Sequence, residues 1–170
     1  MYLMYAMVFL ALYVLLRKVN ESGMAIAFTS ALIGIAIFIA TNNPFTMYSL
    51  SRQFAAATTD AQRSALLAAG EAILANTNQR IVGGFNIGFF LVSVAGLLIS
   101  LVMLQAGSFS RLTAYVGILA FGLSLADYLR QIFTSSAIIA LILILPSALL
   151  IVVWFFLVGR RLLQLGRIGE

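Results

Sequence analysis

The chain has 170 residues, of which 63% are hydrophobic and only 9% carry a charge, whereas an average soluble domain carries about 25% charged residues. A soluble fold of this length could not bury so much apolar surface, so we predict an all-α bundle with five membrane-spanning helices in a single domain over residues 1–170. The absence of His and Cys from the sequence excludes disulfides, thiol nucleophiles, Ser–His catalysis, thiolate–imidazole zinc sites and His-ligated haem.

The net charge of +5 comes from basic residues that stand mostly at the ends of apolar runs, where such residues anchor helices and set their orientation. We therefore expect the lipid bilayer as the partner, together with other membrane subunits or a second copy of the chain, and no nucleic acid. We predict no catalytic residue, no metal site and no cofactor.

The first two predicted spans are residues 1–16 and 24–41. At about 1.5 Å per residue the first is about 24 Å long, which is shorter than the roughly 30 Å hydrocarbon core. Its charges, Arg17 and Lys18, follow the apolar run, whereas a signal peptide begins with them, so we predict an uncleaved anchor. In the second span four residues line one face, which either admits a neighbouring helix or reflects an Ala-rich composition: Ala27, Ser30, Ala31 and Gly34.

Residues 42–80 form the one long stretch that is not apolar, and Pro44 favours the end of the preceding helix. We predict two helices in this loop, at 45–57 and at about 60–75. The second has a start signal, because Thr59 and the residues after it match the capping-box pattern.

The second loop helix carries an apolar stripe with Glu71 at its flank, and the polar run 76–78 is expected to end it. Such a stripe is typical of an amphipathic helix on the bilayer surface or over a helix bundle. In function the helix is either a lid over a cavity or a packed connector. The stripe consists of Leu66, Leu67, Ile73 and Leu74.

The third predicted span, 81–104, contains glycines at positions 84 and 88, a spacing that favours close helix packing. Gly84 and Gly88 are therefore candidate packing residues. Asn86 lies about a turn and a half inside the predicted span. At that depth its side chain is expected to hydrogen-bond a neighbouring helix or, alternatively, a ligand.

The fourth predicted span is 112–133, and Asp127 and Arg130 lie three residues apart near its end. Residues at this spacing share a helix face and can form an ion pair. Ionisable groups at membrane depth are also candidates for function. The two residues are thus either an interfacial ion pair or part of a binding site.

The fifth predicted span is 137–158. Pro146 lies near its middle and predicts a kink, because its ring frees the carbonyl of Ile142. Trp154 and the two phenylalanines after it are expected in the aromatic belt at the membrane interface.

The orientation follows from the ten basic residues, because short cytoplasmic loops are enriched in them. One side carries Arg17, Lys18, Arg111, Arg160, Arg161 and Arg167. The other side carries Arg52, Arg63, Arg80 and Arg130, spread over a longer loop. We therefore predict a prokaryotic cytoplasmic-membrane protein with its N-terminus and loop 42–80 outside and its C-terminus in the cytoplasm.

Three segments carry a resemblance to a known family: residues 12–20 (LYVLLRKVN), residues 53–71 and residues 158–167 (VGRRLLQLGR). They resemble a prokaryotic multi-pass membrane family, domain-of-unknown-function family four-three-eight-six, and the similarity covers nearly the whole chain. Members usually have one more membrane helix at the front. The resemblance therefore implies that this chain lacks the first helix of a longer parent, which also places its N-terminus outside. It implies no activity.

Three functions are compatible with these patterns. The first is a non-enzymatic subunit or accessory of a membrane assembly, supported by the small-residue spacings. The second is a small transporter, or a binder of a lipid or another small ligand, with an outward-facing pocket. The third, an enzyme using Asp127 and Glu71, is the least supported, because the chain has no His or Cys and no convincing catalytic constellation. The candidate polar cluster of the second hypothesis is Asp127, Arg130, Asn86, Arg80 and Glu71.

Overall fold

A computed structural model describes residues 2–41, 44–82, 86–134 and 136–168, and within these ranges the chain forms seven helices and no strand. The helices are α1 (Tyr2–Leu16), α2 (Glu21–Thr41), α3 (Pro44–Ala56), α4 (Asp60–Val82), α5 (Ile87–Gln105), α6 (Arg111–Phe133) and α7 (Ala137–Ile168).

The predicted class, an all-helical membrane bundle, is confirmed. Four helical stretches are long and apolar enough to cross a membrane, namely those containing α2, α5, α6 and α7. The apolar helix α1 is shorter, with 15 residues. These five helices are consistent with the five predicted spans, because each falls on one of the predicted apolar runs.

The bundle is built by consecutive packing. α2 lies along α5, α5 along α6 and α6 along α7, while α1 packs on α2. Facing side chains form one core that runs through all five helices. Its largest fully buried side chains include Trp154, Phe9, Phe121, Leu12 and Leu16.

The apolar side chains that remain exposed are typical of a surface that faces lipid. They are concentrated on α7, where Ile138, Leu149, Val152 and Phe156 are each about two-thirds exposed. α1 exposes a similar stripe that includes Met7. Without a bilayer these surfaces would have no apolar partner.

Two helices are longer than the sequence predicts. α4 continues through the polar run 76–78 to Val82, and α7 continues past residue 158 to Ile168. Asn and Thr cost a helix at most about 0.7 kcal/mol each relative to Ala, so a polar run alone does not stop a helix that is already formed. The prediction that 76–78 ends the helix was therefore wrong.

α3 and α4 form a helical hairpin that packs on itself. The predicted capping box is present, since the Thr59 hydroxyl accepts from the backbone N–H of Gln62 at 3.3 Å. The Gln62 side chain returns to the N–H of Thr58 at 3.4 Å. Of the predicted apolar stripe, Leu66 is half-buried at the α3 interface, whereas Leu67 remains 55% exposed.

Candidate functional site

The most polar buried cluster lies at the end of α6, where the predicted contact between Asp127 and Arg130 is present. Arg130 Nε donates to Asp127 Oδ1 at 2.7 Å, and both side chains are 7% exposed. The second oxygen, Asp127 Oδ2, accepts from Gln131 Nε2 at 2.9 Å. We call Asp127, Arg130 and Gln131 the α6 polar cluster.

Arg130 also holds the turn that leads into α7. Its terminal nitrogen donates to the carbonyl oxygens of Thr134 at 2.9 Å and Ser136 at 3.3 Å. A cation in the last turn of a helix is stabilised by the orphan carbonyls and by the helix dipole. The turn residues therefore satisfy the guanidinium, and Asp127 balances its charge.

This geometry favours an architectural role for the α6 polar cluster, because most of its bonding groups are already engaged within the chain. One buried acceptor is left over: Gln131 Oε1 has no hydrogen-bond partner among the described residues. A ligand role for Asp127 and Arg130 stays a prediction, and a ligand would have to compete with the turn carbonyls for the guanidinium.

The sequence predicted that Asn86 lies inside a span, but in the structure it does not. It is the N-cap of α5, which begins one residue later, and its side-chain oxygen accepts from the backbone N–H of Phe89 at 3.2 Å. Asn is among the best N-cap residues because its short side chain reaches the first free N–H groups of the helix. Its oxygen is therefore engaged in starting the helix.

The remaining members of the predicted polar cluster are not brought to Asp127. Glu71 is exposed on α4, and α4 has no packed interface with α6 in the described part of the chain. Arg80 is also in α4, but its side chain lies outside the described residues. The described residues thus form no shared outward pocket from these groups.

The predicted small-residue face of α2 is used inside the bundle. Ala27 and Ala31 are fully buried, and Ser30 is half-buried. Gly34 crosses Gly88 of α5 so closely that a Cβ added to Gly34 would stand 2.6 Å from the Gly88 carbonyl oxygen. Gly is needed at both positions, because any larger residue would force the two helix backbones apart.

Gly84, the other predicted packing glycine, lies outside the described residues. Pro146 lies inside the continuous helix α7, and its kink stays a prediction. The hydroxyl of the next residue, Ser147, donates to the carbonyl oxygen of Ala120 on α6 at 2.9 Å. A second hydrogen bond between helices joins α5 to α6, where the hydroxyl oxygens of Ser93 and Ser124 are 2.9 Å apart.

The sequence did not predict the centre of the bundle, which is built around Trp154. The interfacial placement expected for this residue was wrong, since the indole is fully buried. Its ring meets Phe121 edge to face, with centroids 5.1 Å apart. A Cβ added to Gly117 would collide with both Trp154 and Ser100, so the missing side chain at Gly117 makes room for the indole. A glycine inside a helix, here Gly117, was the available signal. The sequence alone does not say which aromatic ring occupies the space beside it.

Comparison with known proteins gives one family. Residues 1–159 match the model of a family described as Domain of unknown function (DUF4386). No curated protein and no solved structure matches the chain.

Proposed function

The chain belongs to the DUF4386 family, and we propose that it works as a non-enzymatic subunit or accessory of a prokaryotic membrane assembly. The observation that supports this proposal is the set of contacts that its buried polar groups make. Within the described bundle two serine hydroxyl contacts join α6 to α5 and to α7, and the ion-paired Arg130 closes a turn, which is the pattern of a scaffold. No group of three or more potential metal-ligating side chains occurs among the described residues.

The surface offered to a partner is the α3–α4 hairpin. Its two helices pack on each other, and its outer side still exposes apolar residues: Tyr48 is 64% exposed, Leu67 55% and Leu74 51%. Leu67 and Leu74 are seven residues apart and therefore lie on one face of α4. Exposed apolar residues seven apart on one helix face are typical anchors for a partner. We propose another membrane subunit as that partner.

The small-residue faces are less suited to this role. Ala27 and Ala31 are already buried within the chain, and Gly34 is covered by the chain's own α5. Gly88 is covered in the same way by α2. A partner could reach these residues only by separating α2 from α5, so the hairpin is the better candidate.

The test is purification from native membranes in mild detergent, with mass spectrometry of the proteins that accompany the chain. The variant Leu67→Glu/Leu74→Glu should lose a stoichiometric partner that the parent chain retains. The matched control, Ala68→Glu/Ala75→Glu, adds the same charges at the same spacing on another exposed face of α4 and should keep it. Equal recovery of the partner by both variants would place the interface elsewhere, and recovery of the parent chain without any partner contradicts the subunit role.

The proposed orientation puts the N-terminus and the hairpin outside the cytoplasmic membrane and the C-terminus inside. Because the chain has no cysteine, single-cysteine variants can report it without a background signal. In intact cells a membrane-impermeant maleimide should label Ser64→Cys on α4. It should label Gly166→Cys near the end of α7 only after the membrane is opened. The reverse pattern would invert the topology.

A further inference from the structure

An apolar groove separates α1 from the end of α7. Its volume is about 630 Å³. It is lined by Met7, Leu10, Ala11, Val14 and Leu15 of α1, Lys18 just beyond α1, and Leu162 and Leu165 of α7. We call it the α1–α7 groove.

Lys18 gives the groove one charged end. Near its Met7 end, Tyr5 of α1 meets Phe155 of α7 edge to face, with centroids 4.5 Å apart. From Met7 to Lys18 the wall is roughly 15 Å long, at about 1.5 Å per residue. Half of a hydrocarbon core is also about 15 Å. The groove is therefore about as long as one leaflet is deep.

The cation at the mouth is uncommitted. Lys18 is exposed and takes part in no ion pair among the described residues. The nearest acid along the chain, Glu21, is exposed as well and is not paired with it in that part of the structure. Arg161, by contrast, is engaged, because its Nε donates to the carbonyl oxygen of Ser108 at 2.7 Å.

We propose that the α1–α7 groove binds one anionic phospholipid, with an acyl chain along the apolar wall and the phosphate at Lys18. A basic residue at the cytoplasmic end of membrane helices attracts anionic headgroups. An exposed lysine beside an apolar wall matches a molecule that has an anionic head and a hydrocarbon chain. An acyl chain is slim enough to lie along this wall. The inference does not depend on the subunit role.

The test is native mass spectrometry of the whole chain in mild detergent, titrated with phosphatidylglycerol or with phosphatidylcholine of the same acyl chains. The parent chain should bind one phosphatidylglycerol in preference to phosphatidylcholine. Lys18→Gln should weaken phosphatidylglycerol binding about fivefold, the effect of one basic residue near a headgroup. The neighbouring exposed Arg17 does not line the groove, so Arg17→Gln should change it less than twofold.

A second pair of variants tests the apolar wall. Ala11→Trp fills the groove and should remove both lipid adducts, whereas Ala148→Trp, on an exposed face of α7, should retain them. Helical content is compared by circular dichroism, and if Ala11→Trp fails to fold, the Lys18 and Arg17 pair decides. Equal binding of both lipids with no effect of Lys18→Gln overturns the proposal. So does a dimer that Ala11→Trp dissociates, because it would make a second copy the occupant.

Discussion

The five-helix bundle and the α3–α4 hairpin are built from similar helices but are held together differently. In the bundle, two helices approach to backbone contact at Gly34 and Gly88, and hydroxyl groups tie α5 and α7 to α6. In the hairpin, α3 packs mainly on α4. Its single glycine, Gly70, has one neighbour within reach of an added Cβ, the flexible side chain of Leu50 at 3.3 Å.

This difference indicates where the chain tolerates change. A membrane bundle gains little from hydrophobic burial between helices, because lipid is as apolar as their side chains, so close packing and polar ties must hold it. The hairpin depends on one interface and a capped helix start. Substitutions should therefore be costly in the bundle and mild in the hairpin.

The largest effect is expected from Arg130→Met. The change leaves the Asp127 carboxylate buried without its cation and removes the donors to the turn carbonyls, so stability should fall by about 3–5 kcal/mol. The measurement is thermal unfolding in detergent, followed by circular dichroism. Asp127→Asn/Arg130→Met removes both charges and should recover more than half of the loss. A double variant as unstable as the single one would mean that the unpaired carboxylate is not the cause.

Gly117→Leu is expected to come next. Its side chain would occupy the space of Ser100 and Trp154, and overpacking of this kind costs about 3 kcal/mol at the upper end of its usual range. The same unfolding measurement applies. Gly122→Leu, on the same helix with open space at its Cβ, is the matched control and should stay within about 0.5 kcal/mol of the parent. Equal losses would show that leucine is harmful anywhere on α6.

Gly34→Ala should have a smaller cost of about 2 kcal/mol, because the added methyl group must push α2 away from the Gly88 carbonyl. Gly159→Ala adds the same methyl group where nothing lies within 4 Å and should be neutral or stabilising. Calorimetry of the purified protein distinguishes the two. An unchanged unfolding temperature in Gly34→Ala would contradict the close crossing of α2 and α5.

The smallest effect, and the opposite sign, is expected for Gly70→Ala in the hairpin. Ala is a better helix former than Gly by up to about 1 kcal/mol, and Leu50 can rotate to admit the methyl group. Amide hydrogen exchange should slow in α4 and stay unchanged in α5. Faster exchange in α4 would mean that the α3–α4 interface is as tightly packed as the bundle.

The sequence predicts the membrane helices well because their signal is additive: a long apolar run is recognisable whatever its neighbours are. The small-residue face was also predictable, since Ala27, Ala31 and Gly34 share one side of any helix built from this sequence. The pairing of Asp127 with Arg130 is equally local, because residues three apart in a helix must lie close together.

What the sequence could not predict depends on the surroundings. Asn86 can be a mid-helix polar residue or a cap, and only the position of the helix start decides between them. Tryptophan is typical of an interfacial belt, but Trp154 is buried in the core, where Gly117 leaves room for its indole. The polar residues 76–78 disfavour a helix only weakly, so local propensity did not fix the end of α4.

The burial of Trp154 has an optical consequence. It is the only tryptophan in the chain, it is fully buried, and its indole N–H has no hydrogen-bond partner among the described residues. Its fluorescence should therefore be emitted at short wavelength and resist quenching by iodide. The indole lies where α5, α6 and α7 meet, and the hairpin contains no tryptophan. The emission therefore reports on the bundle alone. The chain thus carries its own label for distinguishing loss of the hairpin from loss of the fold.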